Sequence, residues 1–392
     1  MKKILLSSLS YEGCYGGVEN SLRYLSKSFV KSGYKVIILA SSPKGEKFER
    51  VGNEDGVILV RFRRGLFENK FINLMLFPFF IFDLLLSLSF VKRNYAVDKS
   101  ICRNQFICFF VNLFFAKKNT YLAPGFSHRQ SAKENMTNEG ITLTLRRKLH
   151  TIFDYAALRA SSSVFVFSNN MLIQAEELAL SFSSHDIKKK ISITKPGVDK
   201  SVFYPLSYIE KREKKRFLGL PEDKVLLLCV GRCVKAKGFD LALLSLVDNE
   251  KYHLVIVGDG PEFKNLEEKA SLLNVNKRVS FFGARNDVDT FYQVSDYFFM
   301  SSIYEPLGQT ILEAISCALP VIAFKKGVLT ATSELMDNQG VTYIEGINDE
   351  AIKSTMIKLA SPDSEEYKHL SKQALTKSSL YDWNSLAQDL IN

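Results

Sequence analysis

Two glutamates stand eight positions apart in the segment SSIYEPLGQTILEAISCALPV, residues 301–321. Glu305 precedes a Pro-Leu-Gly turn, and Glu313 lies in the helix that this turn is expected to open. A carboxylate pair of this kind can act as an acid and a base, can coordinate a metal ion, or can accept hydrogen bonds from a polyol. The rest of the sequence has to decide between these three kinds of chemistry.

A second candidate segment, VGRCVKAKGFD at residues 230–240, ends a strand and opens a helix. Because a helix N-terminus presents unpaired N–H groups and the positive end of the helix dipole, anions bind there. Arg232 and Lys237 add two positive charges beside the loop, which suits a diphosphate. Taken alone, the segment is also compatible with an ordinary surface loop.

Glycine-rich turns offer two further places for a phosphorylated ligand. In GCYGGVEN, residues 13–20, Gly16 and Gly17 allow the backbone to approach a ligand closely, although the GxGxxG fingerprint of dinucleotide-binding proteins is absent. VGDGPEF, residues 257–263, has Phe263 where that fingerprint requires its third glycine. We therefore interpret the second turn as structural.

An acidic pair, Asp287 and Asp289, raises the question of a metal ion. The pair directly precedes the helical run TFYQVS, so we predict that Asp287 caps this helix and that Asp289 lies in its first turn. The six cysteines are scattered, and the CxxxC pair Cys229 and Cys233 has no second pair or nearby histidine that would complete a metal site. The sequence therefore predicts no metal site, and reduced thiols.

The elements that position these residues alternate along the chain. In the first half, short β-rich runs are separated by helical patterns, and one helix has apolar residues at positions 18, 22, 25, 29 and 30. After the charged stretch YIEKREKKRFLGLPEDK, the second half repeats this plan. Its runs VLLLCVGR and YHLVIVGDG are nearly continuous in apolar residues, as expected of central parallel strands that are buried on both faces.

This alternation predicts an α/β protein with parallel sheets covered by helices. At 392 residues the chain is long enough for two domains. We predict two tandem Rossmann-like domains, an N-terminal one at residues 1–200 and a C-terminal one at residues 201–375. Residues 376–392 are predicted to form a helix that packs back on the N-terminal domain.

Positive charge is concentrated in the first half of the chain. Residues 1–199 contain 29 Lys and Arg against 16 Asp and Glu, whereas the remainder contains 23 against 26. A basic half-chain is typical of proteins that meet nucleic acid, anionic lipid headgroups or phosphorylated substrates. The N-terminal run MKKILLSSLSYEG is interpreted as a first strand rather than a signal peptide, which favours a cytoplasmic protein.

The apolar segment at residues 71–90, FINLMLFPFFIFDLLLSLSF, has the length of a membrane span. Asp83 inside it and the basic residues around it weaken that interpretation, since a central Asp costs about 2.5–3.5 kcal/mol on insertion scales. Two other interpretations remain open: buried core helices, or a helix that rests partly in the membrane interface. A second aromatic run, FICFFVNLFFAKK at residues 106–118, follows closely, and basic charge nearby favours the interfacial alternative.

Together these motifs resemble the GT-B retaining glycosyltransferases of family GT4. The resemblance covers essentially the whole chain and rests on GGVE, KPGVDKSVFYP (195–205), GRCVKAKGFD, VGDGPE and EPLGQTILEA (305–314), the last of which matches the E-x7-E signature of that family. The sequence departs from the family pattern at Pro196, where asparagine is usual, and at residues 325–334, which lack the usual double glycine. The resemblance implies that the parallel sheets of the two Rossmann-like domains face a central cleft.

The resemblance also implies roles for individual residues. Glu305 would face the donor sugar, and Glu313 would accept hydrogen bonds from the ribose of the nucleotide. His128, in NTYLAPGFSHRQ, would line the cleft near the sugar and, with Glu305, Arg232 and Lys237, take part in catalysis, although a surface histidine remains the alternative. The expected donor-binding residues are Gly16, Gly17, Arg232, Lys237, Leu307, Gly308, Gln309, Thr310 and Glu313.

The function that the resemblance implies is that of a retaining, metal-independent hexosyltransferase without a cofactor. Its donor would be a nucleotide diphosphate sugar, with UDP favoured over GDP. Its acceptor would be a lipid-linked surface glycan of the O-antigen, capsule or lipopolysaccharide core type. We expect a cytoplasmic enzyme, peripheral on the inner face of the cytoplasmic membrane, that binds an anionic membrane surface and no nucleic acid. The alternatives are a GT-B type UDP-N-acetylglucosamine 2-epimerase and a non-catalytic, membrane-associated partner protein.

Overall fold

The computed structural model describes residues 1–12, 17–43, 47–64, 75–126 and 141–391 of the 392-residue chain, with the backbone alone for residues 141–146 and 185. These residues form two compact units. The first unit contains the described residues up to 197 together with residues 383–391, and the second contains residues 198–382.

The first unit is built from strands β1 to β8, helices α1 to α5, and α14 from the end of the chain. Its strands are β1 (Lys3–Ser7), β2 (Lys35–Ser41), β3 (Val51–Glu54), β4 (Val57–Phe62), β5 (Lys99–Cys102), β6 (Asn119–Leu122), β7 (Ser163–Val166) and β8 (Ile191–Ile193). Its helices are α1 (Gly17–Lys31), α2 (Phe77–Asn94), α3 (Gln105–Phe115), α4 (Ile141–Ala160), α5 (Asn169–Ser181) and α14 (Trp383–Ile391).

The described strands of this unit form one sheet in the order β3-β4-β2-β1-β5-β6-β7-β8. Neighbouring strands are parallel except β3, which pairs antiparallel with β4 at the edge. The chain passes from β1 outward to β2 and β4, and it then returns to β5 on the other side of β1. The carboxyl edge between β1 and β5 is therefore the topological switch point of this sheet, the position at which open α/β sheets bind ligands.

Helix α1 follows the apolar pattern of its sequence. Leu22, Leu25 and Phe29 are fully buried, as their helical spacing predicts. The helix ends just before Gly33, whose φ of +81° lies in the region that favours glycine. Tyr24 stacks on Trp383 of α14 with the ring centroids 5.3 Å apart, which joins the last helix of the chain to the first.

The apolar segment 71–90 is described from residue 75 onward, and most of it forms α2. Asp83, the acidic residue inside it, is buried and accepts a hydrogen bond from Arg50 Nη2 at 2.6 Å and one from the backbone N–H of Arg63 at 2.7 Å. The buried carboxylate is thus paired, as a buried charge must be. Within the described part of the chain, no helix combines the length and the apolar character that crossing a membrane requires.

The second unit contains strands β9 to β16 and helices α6 to α13. The strands are β9 (Val225–Val230), β10 (Tyr252–Val257), β11 (Val279–Phe281), β12 (Tyr297–Met300), β13 (Tyr304–Glu305), β14 (Val321–Phe324), β15 (Leu329–Thr330) and β16 (Val341–Ile344). The helices are α6 (Tyr208–Phe217), α7 (Phe239–Ala242), α8 (Phe263–Leu272), α9 (Val288–Val294), α10 (Gln309–Ser316), α11 (Thr332–Met336), α12 (Asp349–Lys358) and α13 (Glu365–Ser378).

The main sheet of the second unit is parallel and buried on both faces. Its strand order is β11-β10-β9-β12-β14-β16. Alternate residues of β9 enter different hydrophobic clusters, with Leu226 and Leu228 on one face and Leu227 and Cys229 on the other. Since side chains alternate across a strand, a strand covered on both faces needs apolar residues at every position, which explains the continuous apolar runs of the sequence.

Candidate active site

The predicted donor-binding residues of the second unit meet at the switch point of its sheet. From β9 the chain moves outward to β10 and β11, and it then returns to β12 on the other side of β9. The carboxyl edge between β9 and β12 is the position where such a sheet binds a ligand. The segment after β9 carries Arg232 and Lys237, and the segment after β12 leads to Glu305.

Gly238 brings the first of these segments against the second. Lys235–Lys237 form a single 3-10 turn, and Gly238 follows with φ +59°. A Cβ atom at Gly238 would lie 2.2 Å from the carbonyl oxygen of Ser301, the first residue after β12. Ser301 also donates a hydrogen bond from its Oγ to the carbonyl oxygen of Lys237 at 2.9 Å. The left-handed backbone and the close approach both require glycine here.

Lys237 and Glu305 form an ion pair at this switch point. Lys237 Nζ donates a hydrogen bond to Glu305 Oε2, and both side chains are mostly buried, with exposed fractions of 19% and 15%. The other carboxylate oxygen of Glu305 accepts from the N–H of Gly308 at 3.3 Å. A cation and an anion are thus fixed side by side at the edge of the sheet.

Main-chain hydrogen bonds fix the backbone around this ion pair. Glu305 belongs to β13, which pairs parallel with β15, and its carbonyl oxygen accepts from the N–H of Ala331 at 2.9 Å. The N–H of Ile303 donates to the carbonyl oxygen of Ala236, the neighbour of Lys237, at 2.9 Å. The two ion-pair residues are therefore linked through the backbone as well as through their side chains.

Helix α10 begins beside the ion pair. Gly308 precedes it with φ +73°, and a Cβ atom there would lie 2.7 Å from Leu335 Cδ1. Since Gly308 also contacts Glu305, the predicted residues Leu307, Gly308, Gln309 and Thr310 stand at the same edge of the sheet as the ion pair. The first N–H groups of a helix have no partner inside it, so this helix start can donate to phosphate or hydroxyl oxygens.

Glu313 lies one turn further along α10 and is held by a tyrosine. Tyr292 of α9 donates a hydrogen bond from its hydroxyl to Glu313 Oε2 at 2.8 Å. Burial among apolar neighbours raises the pKa of Glu313 to about 7, against an ordinary value of 4.5, although the hydrogen bond from Tyr292 and the charge of Lys237 act in the opposite direction. Glu313 therefore changes its charge near neutral pH.

The remaining predicted site residues are placed as follows. Arg232 is exposed, and its side chain forms no ion pair with a described residue. Gly17 is the first residue of α1 in the first unit. Gly16 and His128 lie outside the described residues, so their predicted roles stay predictions.

The acidic pair that raised the question of a metal ion lies where the sequence predicts, but one predicted contact is missing. Asp287 stands at the N-cap position of α9 and Asp289 lies in its first turn, but the side chain of Asp287 does not cap the helix. Instead, it accepts hydrogen bonds from Arg285 Nε at 2.8 Å and from Arg285 Nη2 at 2.7 Å. The predicted side-chain cap is wrong because a nearby guanidinium offers a bidentate, charge-assisted partner. In the described part of the chain, no group of three or more His, Cys, Asp or Glu is placed to hold a metal ion.

Tyr292 is the site residue that the sequence pattern did not reveal. It is fully buried and packs against Phe203 and Phe298, so its position in the apolar pattern indicates only a core residue. Its partner Glu313 lies on another helix, at no recognisable spacing. The available signal is general: a buried tyrosine hydroxyl usually finds a hydrogen-bond partner.

The fold is shared with solved structures of glycosyltransferases. Sucrose-phosphate synthase from Thermosynechococcus elongatus superimposes with a TM-score of 0.80 at 18% identity, covering 99% of this chain and 97% of that one. WaaG, a glycosyltransferase involved in lipopolysaccharide biosynthesis, gives a TM-score of 0.74 at 18% identity, with 98% of each chain covered. HepE of Anabaena in complex with UDP and glucose gives 0.75 at 16% identity, covering 99% and 98%. The chain has the GT-B fold of glycosyltransferases, as the sequence predicts.

Sequence comparison adds the family. Residues 210–377 match the family model "Glycosyl transferases group 1". The mannosylfructose-phosphate synthase of Agrobacterium fabrum is 29% identical over 222 residues, 52% of this chain and 47% of that protein. The lipopolysaccharide core biosynthesis glycosyltransferase LpsE of Rhizobium meliloti is 37% identical over 106 residues, 27% of this chain and 31% of that protein. The chain thus matches about a third to a half of the length of these relatives. Residues 210–377 are thus similar to the group 1 glycosyltransferases, in agreement with the predicted family.

Proposed function

We propose that this protein transfers a hexose or an N-acetylhexosamine from a nucleotide diphosphate sugar to a lipid-linked surface glycan, with retention of configuration at the anomeric carbon. The observation that carries the proposal is the Lys237–Glu305 ion pair at the switch point of the second sheet, with Glu313 on the adjoining helix. The match of residues 210–377 to the group 1 glycosyltransferases supports the reaction class.

The donor diphosphate would take over Lys237 from Glu305. A diphosphate carries more negative charge than one carboxylate, so it competes well for a lysine that is already desolvated at this edge. Arg232, exposed in the same loop, adds the second positive charge. These two cations would stabilise the charge that develops on the leaving diphosphate, so the reaction would need no metal ion and no cofactor.

The two glutamates would recognise different parts of the donor. Glu305, released from Lys237, would accept hydrogen bonds from sugar hydroxyls. Glu313 would accept from the ribose hydroxyls, for which its ionised form is the better acceptor. A hydroxyl of the acceptor would then form its bond to the anomeric carbon as the bond to the diphosphate breaks, and the diphosphate oxygen would take the acceptor proton.

The choice of UDP as nucleotide rests on the solved structure of HepE with UDP and glucose, which shares the fold. The choice of a surface glycan as acceptor rests on the names of the relatives, since LpsE and WaaG both belong to lipopolysaccharide biosynthesis. Both choices are direct targets for experiment.

We further propose that the first unit docks on an anionic membrane surface from the cytoplasmic side, where a lipid-linked acceptor is found. Phe79, Phe82 and Leu86 of α2 are exposed at a spacing that puts them on one face of the helix. On the neighbouring helix α3, Leu113 is 62% exposed. Lone exposed apolar residues are common, but a helix stripe of this kind marks an interaction surface.

Positive charge flanks this apolar stripe. Lys92 and Arg93 end α2 and are exposed, and Lys117 and Lys118 follow α3 and are exposed as well. Lys92 Nζ lies 5.7 Å from the ring centroid of Phe114, which brings the two helix ends together. Apolar insertion and attraction to anionic lipid headgroups would thus act at one surface.

The transfer reaction is tested by the release of free nucleotide. The purified chain is first screened for thermal stabilisation by UDP-, GDP- and ADP-sugars, because a ligand stabilises the state that it binds. Nucleotide release is then measured with the best donor, with and without a short-chain lipid-linked glycan. Lys237→Met should lower turnover about 10²-fold or more. Lys235→Met is the matched control, since Lys235 is exposed on the same turn.

The outcomes separate the alternatives. Release that depends on the acceptor and on Lys237 supports the transferase. An epimerase would convert the donor sugar without an acceptor, and a non-catalytic partner protein would bind without turnover. Equal activity in the Lys237 and Lys235 variants would show that the ion pair takes no part in the mechanism.

A further inference from the structure

A groove in the first unit runs along one face of helix α1. Arg23, Ser26, Lys27, Val30 and Lys31 line it, and their spacing of three and four residues places them on a single face of the helix. From Arg23 to Lys31 the helix rises about 12 Å. The cavity has a volume of about 250 Å³, close to the lower end of the range for small-molecule sites, about 300 Å³. The groove is therefore elongated and has room for a small ligand.

The opposite wall of the groove is the turn between β3 and β4, with Glu54, Asp55 and Val57. Asp55 and Gly56 have φ of +50° and +80°, the left-handed values that a two-residue type I′ turn requires. Glu54 pairs with Val57 in the hairpin, so the turn holds both carboxylates on a defined wall. Because Val57 begins β4, this wall stands at the amino ends of the strands and not at the carboxyl edge where such sheets bind ligands.

Tyr11 forms the floor between these two walls. It is 6% exposed, and Arg23 Nη2 donates a hydrogen bond to its carbonyl oxygen at 2.7 Å. The guanidinium carbon of Arg23 lies 5.1 Å from the centroid of the Tyr11 ring. Burial, followed by the negative charge of Glu54, raises the pKa of Tyr11. The phenol therefore stays protonated at neutral pH and keeps a hydroxyl that can donate or accept a hydrogen bond.

The charged side chains of the two walls do not pair with each other across the groove. Lys27 and Lys31 on the helix and Glu54 and Asp55 on the hairpin are all exposed. Within the part of the chain that the structure describes, none of these four side chains forms an ion pair. Like charges four residues apart also destabilise a helix, so the cations of α1 would gain from a ligand that accepts hydrogen bonds from them.

An occupant of the groove meets cations on one side and carboxylates on the other. A ligand with a net charge is repelled by one of these walls. A neutral polyhydroxyl compound suits both, because each hydroxyl can accept from an ammonium group and donate to a carboxylate. Val30 and Val57 add apolar surface for the C–H groups of a sugar ring. We propose that this groove is a binding site for one or two sugar units of a neutral glycan.

The proposed function supplies the source of this glycan, and to that extent the inference rests on it. The glycan would be the acceptor chain, held at sugar units distant from the reacting end. A second contact of this kind raises the effective concentration of the acceptor without touching the reacting atoms. Sugar binding in the groove needs neither donor nor turnover, so it can be measured independently of the transfer reaction.

Saturation-transfer NMR on the full chain tests the groove with maltose, lactose and chitobiose as neutral probes. At least one of these disaccharides should bind. Lys27→Met with Asp55→Asn removes one charge from each wall and should lower the affinity about tenfold or more, as expected for lost hydrogen bonds to charged groups. Val30→Trp fills the groove without changing its charge and should abolish binding. Lys189→Met with Asp186→Asn is the matched control, because these exposed residues pair at 3.3 Å elsewhere on the first unit.

Charged probes and unfolding temperatures complete the measurement. The substituted positions are exposed, so unfolding temperatures should stay close to that of the unchanged protein. Glucuronic acid, glucosamine and the zwitterion diglycine should bind more weakly than the neutral disaccharides. Stronger binding of any of the three would overturn the assignment to a neutral glycan. Absence of disaccharide binding, or binding that both groove variants retain, would overturn the site itself.

The acceptor role and the transfer reaction are judged separately from sugar binding. The groove variants should raise the KM for an acceptor with several sugar units and leave kcat unchanged, and an unchanged KM would overturn the acceptor role. Disaccharide binding should persist in Lys237→Met, because Lys237 belongs to the second unit. If UDP fails to bind through Lys237 while disaccharide binding still depends on the groove, the glycan site stands and the donor proposal falls.

Discussion

The hydroxyl of Tyr292 donates a 2.8 Å hydrogen bond to Glu313, the second glutamate of the E-x7-E motif. Tyr292 is fully buried, so the carboxylate is fixed from the protein interior. Because burial raises the pKa of Glu313 to about 7, the hydrogen bond decides how much of the ionised form is present at neutral pH. Tyr292, which lies outside the motif, thus influences the ionisation of Glu313 inside it.

The first prediction follows from this hydrogen bond. Tyr292→Phe removes a donor to the carboxylate, so the pKa of Glu313 should rise further and UDP affinity at pH 7 should fall about 2- to 10-fold. At pH 9 the loss should be smaller, since Glu313 is then ionised in both proteins. Calorimetry between pH 6 and pH 9 measures this. Tyr252→Phe is the control, because the Tyr252 hydroxyl donates instead to the carbonyl oxygen of Met356 at 2.7 Å; a similar pH profile in both variants would contradict the assignment.

The second prediction concerns stability. The pKa of Glu313 is raised from 4.5 to about 7 in the folded protein, so between these values the folded state holds a proton that the unfolded state has lost. The contribution of Glu313 to the stability must therefore decrease as pH rises through this window. Glu313→Gln removes the effect and should raise the unfolding temperature at pH 8 by about 2–4 °C, with little change at pH 5. An unfolding temperature that is lowered equally at both pH values would contradict the raised pKa.

The third prediction separates the two members of the ion pair. Glu305→Gln frees Lys237 for the diphosphate, so UDP affinity should stay the same or increase, while sugar transfer should fall about 10²-fold. Lys237→Met should lower both UDP affinity and transfer. Binding is measured with sugar-free UDP and transfer with the complete donor. Equal losses of UDP affinity in the two variants would show that Glu305 contacts the nucleotide and not the sugar.

The strands that the sequence predicts well are those buried on both faces. β9, β10, β12 and β14 are nearly continuous in apolar residues because each face of the sheet is covered. Five strands were not predicted, two of which, β13 and β15, have only two residues each. β3 is a polar edge strand (VGNE), β5 is four residues long and half polar (KSIC), and β16 (VTYI) is partly exposed. Local patterns are weak in such strands, and their place in the sheet comes from the pairing partners.

In the candidate site, too, the sequence motifs identify individual residues but not the contacts between them. The motifs identify Lys237 and Glu305 because their types and spacing match a family signature. They do not predict that the two residues pair with each other, because the pairing depends on Gly238 meeting the end of β12.

The fourth prediction tests the glycine that makes this contact. Gly238→Ala places a Cβ atom 2.2 Å from the carbonyl oxygen of Ser301, at φ +59°. Gly219→Ala is the matched control, since Gly219 has φ +67° but no heavy atom within 4 Å of such a Cβ. The control should lower the free energy of unfolding by about 1–2 kcal/mol, for the left-handed backbone alone. Gly238→Ala should lower it clearly more and abolish UDP binding, which thermal unfolding and calorimetry measure. Equal losses of unfolding free energy in the two variants would mean that the contact with Ser301 relaxes without strain.

The last prediction concerns the apolar stripe of α2 and the cations beside it. If both act on one surface, the protein should sediment with vesicles that contain anionic phosphatidylglycerol, and not with neutral phosphatidylcholine vesicles. Binding should decrease with added salt, because charge attraction is screened over about 10 Å at 0.1 M. Phe79→Ser with Phe82→Ser should weaken binding at every salt concentration, whereas Lys92→Glu with Arg93→Glu should mainly remove the salt-sensitive part.

Matched controls exclude a general effect of surface change. Phe217→Ser alters a phenylalanine of the second unit that is 87% exposed, and Lys189→Glu alters an exposed lysine elsewhere on the first unit. Arg63 is left unchanged because its backbone and side chain both contact the buried Asp83. Binding that survives high salt and alkaline carbonate would indicate a segment inserted in the bilayer, and absence of binding would show that the acceptor is met without this surface. Docking through α2 is supported only if vesicle binding is salt-sensitive, both double variants weaken it, and both control variants bind as the unchanged protein does.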